Sequence, residues 1–272
     1  MSDPLERIAA ALERLAPTAH DETDWTAAPA FVWDGTHARP VERIDAPALD
    51  QLKGIDRQKD AVAQNVARLA AGAAAHDMLL WGARGMGKSA LVRASTVAAQ
   101  EAESGRLALV QVAADALPTL PALFAALGGV SRNFLVYLDD LGFAEGDTVG
   151  PRHLRSWLEG GVEARPGNVR LAVTSNRRAI VPRHLNEQDD PVNPRDALDD
   201  LQALADRFGM SVGFHAASQD DYLAIIAAYA DPLGLAWKQG DALEWSKRRG
   251  ARSGRTAWQF VVELAGREGR TL

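Results

Sequence analysis

No cysteine occurs among the 272 residues. A disulfide framework, a thiolate metal site and a cysteine nucleophile are therefore all excluded. The six histidines, His20, His37, His76, His153, His184 and His215, include no pair at a ligand spacing such as i and i+4, so zinc is not expected. No run approaches the roughly eighteen uncharged apolar residues that would mark a membrane span. Met1-Ser2-Asp3-Pro4 lacks the basic and apolar regions of an export signal, which gives the expectation of a cytoplasmic protein without membrane contact. Positive charge is not in excess: 30 Lys and Arg face 36 Asp and Glu, a net charge of −6, so composition carries no global attraction to nucleic acid. Internal repeats and low-complexity tracts are missing as well.

What remains is a globular composition, 47% hydrophobic and 24% charged. At about 150 residues per domain, the length suits one large domain or one domain with a small appendage. Charge is unevenly spread. From Lys238 to Leu272, eight Lys and Arg stand against four Asp and Glu, so this end is basic and the remainder acidic.

Leu5, Ile8, Leu12 and Leu15 fall at helical spacing, and Ala16-Pro17 ends that segment. Residues 1–45 thus read as a helical preface and an irregular linker. Residues 46–75 read as helix after a turn at Lys53-Gly54-Ile55, with Val62, Val66 and Leu69 on one stripe. Short apolar runs follow at Met78–Trp81, Leu107–Val112, Phe134–Leu138, Val169–Val173 and Met210–Phe214, with helical stretches of suitable length between them. This alternation predicts an α/β fold, a five-stranded parallel sheet flanked by helices over residues 46–217. Beyond Ser218 only helical patterns remain, at Asp220–Ala230, Asp241–Arg249 and Thr256–Gly266. They predict a small all-helical lid over residues 218–272.

The chemistry concentrates at Gly82-Ala83-Arg84-Gly85-Met86-Gly87-Lys88-Ser89, between the first run and a helix that opens with Ala90. This matches the P-loop pattern, in which glycines let backbone N–H groups curl around phosphate oxygens while the helix presents its positive end. Lys88 would reach the β and γ phosphates of ATP. Ser89 would offer its hydroxyl to Mg2+, a hard cation that takes oxygen ligands. Asp139-Asp140, at the end of a buried run, stand where ligands of parallel sheets gather. Asp139 would hold the magnesium, and Asp140 would orient or polarise the attacking water. Thr174-Ser175-Asn176 ends the next run at the same edge, where Asn176 would bond the γ-phosphate or that water.

Together, Gly82–Ser89, Phe134–Asp140, Thr174–Asn176, Asp206-Arg207-Phe208 and Ser253-Gly254-Arg255 resemble the AAA+ superfamily of P-loop ATPases over about residues 46–272. The Thr-Ser-Asn-Arg-Arg, Asp-Arg-Phe-Gly and Ser-Gly-Arg runs are similar to an uncharacterised bacterial family of predicted ATPases within it. The resemblance implies a nucleotide domain, a helical lid and oligomers with ATP at subunit junctions. By position it implies that Gly54 and Ile55 lie against adenine, that Asn176 is the sensor-1 residue and that Arg255 is the sensor-2 arginine. Arg207 resembles the arginine finger that a neighbouring subunit inserts, a task suited to a planar, permanent cation.

Two departures stand out. Many members of the superfamily carry Glu where Asp140 stands, which points to slow hydrolysis. Ala179 occupies a position where His is expected, leaving Arg177 and Arg178 without a task. The acidic, proline-containing stretch from Arg183 to Asp200 is long enough to be a functional loop. Trp157, Trp245 and Trp258 fall in helical patterns that favour core or interface roles over base stacking. Lys247-Arg248-Arg249 fits either nucleic-acid phosphates or a helix end whose dipole attracts cations.

The expected function is an Mg2+-dependent ATPase that couples ATP and ADP states to remodelling or loading of a protein or nucleic-acid partner. The alternatives are an ATP-gated binding module with little turnover and a small-molecule kinase. The Asp139-Asp140 pair and the helical lid weigh against the kinase.

Overall fold

The apolar runs fold as strands because nearly every side chain in them must be covered. In β5 (Asn133–Leu138) each residue from Phe134 onward is buried, as expected of a strand packed on both faces. The computed structural model describes residues 23–141, 165–176 and 207–272. These form one sheet in the order β2-β1-β4-β5-β6-β3-β7. The strands are β1 (Ala30–Trp33), β2 (Ala38–Val41), β3 (Met78–Gly82), β4 (Leu107–Val112), β5, β6 (Val169–Ser175) and β7 (Met210–Phe214). All neighbours run parallel except β1 and β2, which pair antiparallel.

The sheet has seven strands where five were expected, and the added pair comes from residues read as irregular linker. Each added strand is only four residues long. In β2, Ala-Arg-Pro-Val, Pro40 lacks an N–H, which an edge strand tolerates. Such short elements leave little periodicity to read. The proposed helix at residues 4–15 and the 183–200 loop lie outside the described residues, as do Arg177, Arg178 and Ala179.

Alternation along the strands divides two cores. Met78, Leu80, Leu107, Leu109, Leu135 and Tyr137 pack with Val62, Val66 and Leu69 of α1 (Asp56–Ala70) and with Leu91 and Val92 of α2 (Lys88–Ala102). Leu79, Ala108, Val110, Phe134, Val136 and Leu138 pack with Leu120, Leu123 and Leu127 of α3 (Leu120–Gly128) and with Trp25 and Phe31. Asn65 joins α1 to the approach of β3. Its Nδ2 donates to the His76 carbonyl and its Oδ1 accepts from the His76 N–H, each at 2.9 Å.

Three helices follow the sheet: α4 (Gln219–Ala230), α5 (Gln239–Arg249) and α6 (Gly254–Arg267). Tyr222, Ile225 and Ile226 of α4 and Phe260 and Val261 of α6 join the first core. Ser218 and Asp221 form a capping box at the start of α4, and the Ser253 hydroxyl caps α6 by accepting from the Thr256 N–H. The basic run Lys247-Arg248-Arg249 forms the last turn of α5, where cations complement the helix dipole. Arg248 pairs with Glu244 at 3.1 Å, and Arg249 lies 4.5 Å over the Trp245 ring. Among the described residues no helix is long and apolar enough to cross a membrane.

The segment before β1 is anchored by Arg132. Its buried guanidinium donates to the carbonyls of Trp25 and Ala28 at 2.8 Å and of Leu107 at 2.9 Å. Replacing it strands three inward-facing carbonyls, so Arg132→Met should lower stability by about 2–3 kcal/mol, read as a reduced midpoint in urea unfolding.

Candidate functional site

Because β5, β6 and β3 are consecutive neighbours in one parallel sheet, their carboxyl ends deliver Asp139-Asp140, Asn176 and the glycine loop side by side. The loop leaves β3 in tight contact with β7. Gly82 has φ +116°, and a Cβ there would lie 2.1 Å from the Phe214 carbonyl oxygen, which also accepts from the Ala83 N–H at 2.8 Å. Only glycine fits that crossing. The loop then turns into α2, whose first turn carries no acidic residue and no side-chain cap. Its first N–H groups thus form a positive end suited to an anion. The Met86 side chain is buried in the first core, and Ala83 and Ala90 pack against it.

Lys88 is buried beneath this loop. Its Nζ donates at 2.9 Å to the carbonyls of Gly82 and Ala83 and to Asn176 Oδ1. Burial lowers the ammonium pKa from its ordinary value, against the pull of Asp140 and Asp139, while the charges of Arg255 and Arg84 lower it further. Both arginines are therefore felt at the loop.

Asp139 Oδ1 accepts three hydroxyls: Tyr137 at 2.5 Å, Ser89 at 2.7 Å and Thr174 at 2.7 Å. Desolvation works to raise the Asp139 pKa. The hydroxyls of Tyr137, Ser89 and Thr174, with the charge of Arg93, outweigh it and hold the carboxyl below its usual range. Burial, then the bond to Asp139, pushes the Tyr137 phenol upward, so it remains a donor. Thr174 Oγ1 also accepts from the Asp140 N–H at 2.8 Å. Asp140 has φ +50°; its Oδ1 accepts from Asn176 Nδ2, and its Oδ2 lies 3.9 Å from an Arg84 nitrogen. Asn176 thereby bridges Lys88 and Asp140.

The other predicted residues divide. Ile55 is buried, and both it and Leu52 lie next to Gly87. A Cβ on Gly54 would come 2.9 Å from the Asp221 side chain, so this turn is wedged between loop and α4. The Arg255 N–H, at the start of α6, donates to the Gly85 carbonyl at 3.1 Å. Arg207 is not brought to this edge. It precedes β7, whose Met210 pairs with Met78 and whose Phe214 pairs with Gly82. A strand's length, roughly 15 Å or more, separates it from the loop.

Tyr137 escaped the sequence reading, although it lies two residues before Asp139 on the same strand face. Thr174 was placed at the edge but not recognised as the hydroxyl that joins Asp139 to the Asp140 backbone.

A family model described as "Protein of unknown function (DUF815)" matches residues 26–268. Among solved structures, the Thermotoga maritima RuvB Holliday junction branch migration motor is 17% identical, with a TM-score of 0.52, covering 79% of this chain and 62% of that one. The Aeropyrum pernix Orc1 protein in complex with DNA is 15% identical, with a TM-score of 0.57, covering 81% of this chain and 65% of that one. The chain spans less than two thirds of the length of either structure. No curated protein matches the sequence. At these identities the likeness is one of fold alone.

Tyr137→Phe removes one of three donors to Asp139. The depressed carboxyl contributes stability above its unfolded pKa, and that contribution is lost as pH falls through its folded value. The variant should be less stable by about 1 kcal/mol at pH 7, with a smaller difference near pH 3, measured by urea unfolding at both pH values.

Proposed function

Since this chain belongs to the DUF815 family, we propose that it is a magnesium-dependent ATPase of the AAA+ kind. It couples ATP and ADP states to remodelling or loading of a macromolecular partner. The observation that carries this reading is the grouping of Lys88, the Ser89–Asp139 contact and the Asn176–Asp140 contact along one sheet edge.

The loop N–H groups and the start of α2 bind the phosphate chain, and Lys88 turns its ammonium from the Gly82 and Ala83 carbonyls toward the β and γ phosphates. Ser89 and Asp139 supply oxygen donors 2.7 Å apart, which fits a hard cation that takes few protein ligands and shares the phosphate oxygens. Among the described residues no group of three or more His, Asp or Glu gathers to hold a metal alone, so phosphate would complete the site. A bound Mg2+ would neutralise charge building on the β and γ oxygens. Asp140, oriented by Asn176, accepts a proton from water as the water oxygen bonds to the γ phosphorus. The bond from that phosphorus to the bridging oxygen breaks, its electron pair leaves with ADP, and the proton passes to the phosphate product.

Gly54 and Ile55 line the adenine side, and Arg255 reports the γ-phosphate from α6. Arg207 serves a neighbouring copy, since its own loop lies at the far edge of the sheet. In trans such a finger supplies about 10³–10⁵ in rate. The basic stretch from Lys238 onward, and the DNA named for the Orc1 structure, favour nucleic acid as the partner. A second reading, an ATP-gated binding module with little turnover, draws on Asp140 itself, whose two oxygens already face Asn176 and Arg84.

Lys88→Ala should abolish binding of labelled ATP, and retained binding overturns the reading. Asp140→Asn should bind ATP and lose turnover by at least about 100-fold; if the parent itself shows no turnover, the binding module is supported instead. Specific activity should rise with protein concentration, and Arg207→Ala should remove that rise while ATP binding persists. Filter binding to DNA should weaken steeply with salt if nucleic acid is the partner.

A further inference from the structure

Arg84 is the third residue of the glycine loop, and the reading above uses only its backbone. Its side chain is 73% exposed, unlike that of Lys88, which is buried under the same loop. It nevertheless has a direction. A guanidinium nitrogen lies 3.9 Å from Asp140 Oδ2, although Asp140 follows β5 and the loop follows β3, with β6 between them. The side chain therefore reaches across the end of β6 to the carboxylate that the proposed function sets against the attacking water. The terminal phosphate must lie between that carboxylate and the loop. Lys88 approaches the place from below, and Arg255 adds a third positive charge from α6.

The contact with Asp140 is built to be given up. Both side chains are more than half exposed, and 3.9 Å exceeds hydrogen-bond range, so the pair contributes little. A γ-phosphate offers the same guanidinium a larger charge and paired oxygens that match its planar fork.

We propose that Arg84 reads the γ-phosphate within its own chain, passing from the Asp140 carboxylate to the phosphate and so freeing Asp140 to take the proton of water. This rests on the nucleotide-binding reading and adds a side chain that tells ATP from ADP. The exchange makes ATP itself the signal that releases the base, because ADP has no terminal phosphate to draw Arg84 away.

Calorimetric titration of the full chain with Mg2+ and either ADP or the β,γ-imido analogue of ATP tests it. The parent should bind both. Arg84→Ala should weaken the triphosphate analogue by about 10- to 100-fold and shift ADP by no more than about twofold, and Arg84→Lys should recover only part of the loss. Asp140→Asn should tighten the analogue when Arg84 is present and leave it unchanged in the Arg84→Ala background. Equal effects of Arg84→Ala on both nucleotides, or none on either, overturn the proposal. So does equal tightening by Asp140→Asn in both backgrounds, which would reduce the effect to lost charge repulsion. A folded parent that binds neither nucleotide overturns the underlying nucleotide reading, an outcome distinct from a failure of Arg84 alone.

Discussion

The Lys88 ammonium ties together parts of the chain that are distant in sequence. It joins Gly82 at the end of β3, Ala83 in the glycine loop and Asn176, the residue that follows β6, through three contacts of 2.9 Å. An ammonium has three N–H donors, and here each has an acceptor. Burying a cation with no anion in direct contact among the described residues is costly, and the cost is met by two carbonyl dipoles, one amide oxygen and the nearby charges of Asp140 and Asp139. A methionine of similar reach would leave those oxygens facing one another unpaired. The loop thus takes its form from a charge held under it as much as from the freedom of its glycines.

The same loop is gripped from outside. The Arg255 N–H holds the Gly85 carbonyl, and a Cβ added to Gly85 would come 2.9 Å from the Ser253 hydroxyl. On the other side Gly54 lies against Asp221 in the first turn of α4. Both contacts join helix starts to the region of the glycine loop, and both helices bury their apolar faces in the core that contains α1 and α2. The glycine loop thus touches the start of α6 directly, through the Gly85 carbonyl, and the Gly54 turn beside it touches the start of α4. Close-packed interiors transmit shifts at such contacts because they have little free volume to absorb them.

The glycine loop, the carboxylate pair and Asn176 were legible because each ends a long buried run, where apolar continuity fixes the strand and the first polar residue marks its edge. The C-terminal helices were legible to within two residues, since capping serines and a terminal glycine bracket them. The sheet's first two strands were not. Four-residue strands carry too few alternations, and Trp25, Phe31 and Trp33 are buried by contacts with β4, β5 and α3 that local sequence does not reveal. Tyr137 was hidden for a different reason. In an apolar run it reads as one more core residue, and its ring is in fact buried in the core, while only its hydroxyl reaches Asp139.

Backbone conformation explains why aspartate stands where glutamate is common. Asp140 has φ +50°, and its N–H is held by Thr174 Oγ1 while the next residue, Leu141, donates to the Thr174 carbonyl. The chain must therefore turn sharply straight after β5. Among residues with a side chain beyond Cβ, aspartate and asparagine tolerate this left-handed region best, and the short side chain can bond locally. Glutamate would add a methylene at a strained position and carry its carboxylate past the Asn176 amide. The shorter residue keeps the carboxylate between Asn176 and Arg84. On the function proposed above, its distance from an attacking water is set by the loop and by β6 rather than by side-chain length, so the same turn that favours aspartate makes the proposed base depend on its neighbours.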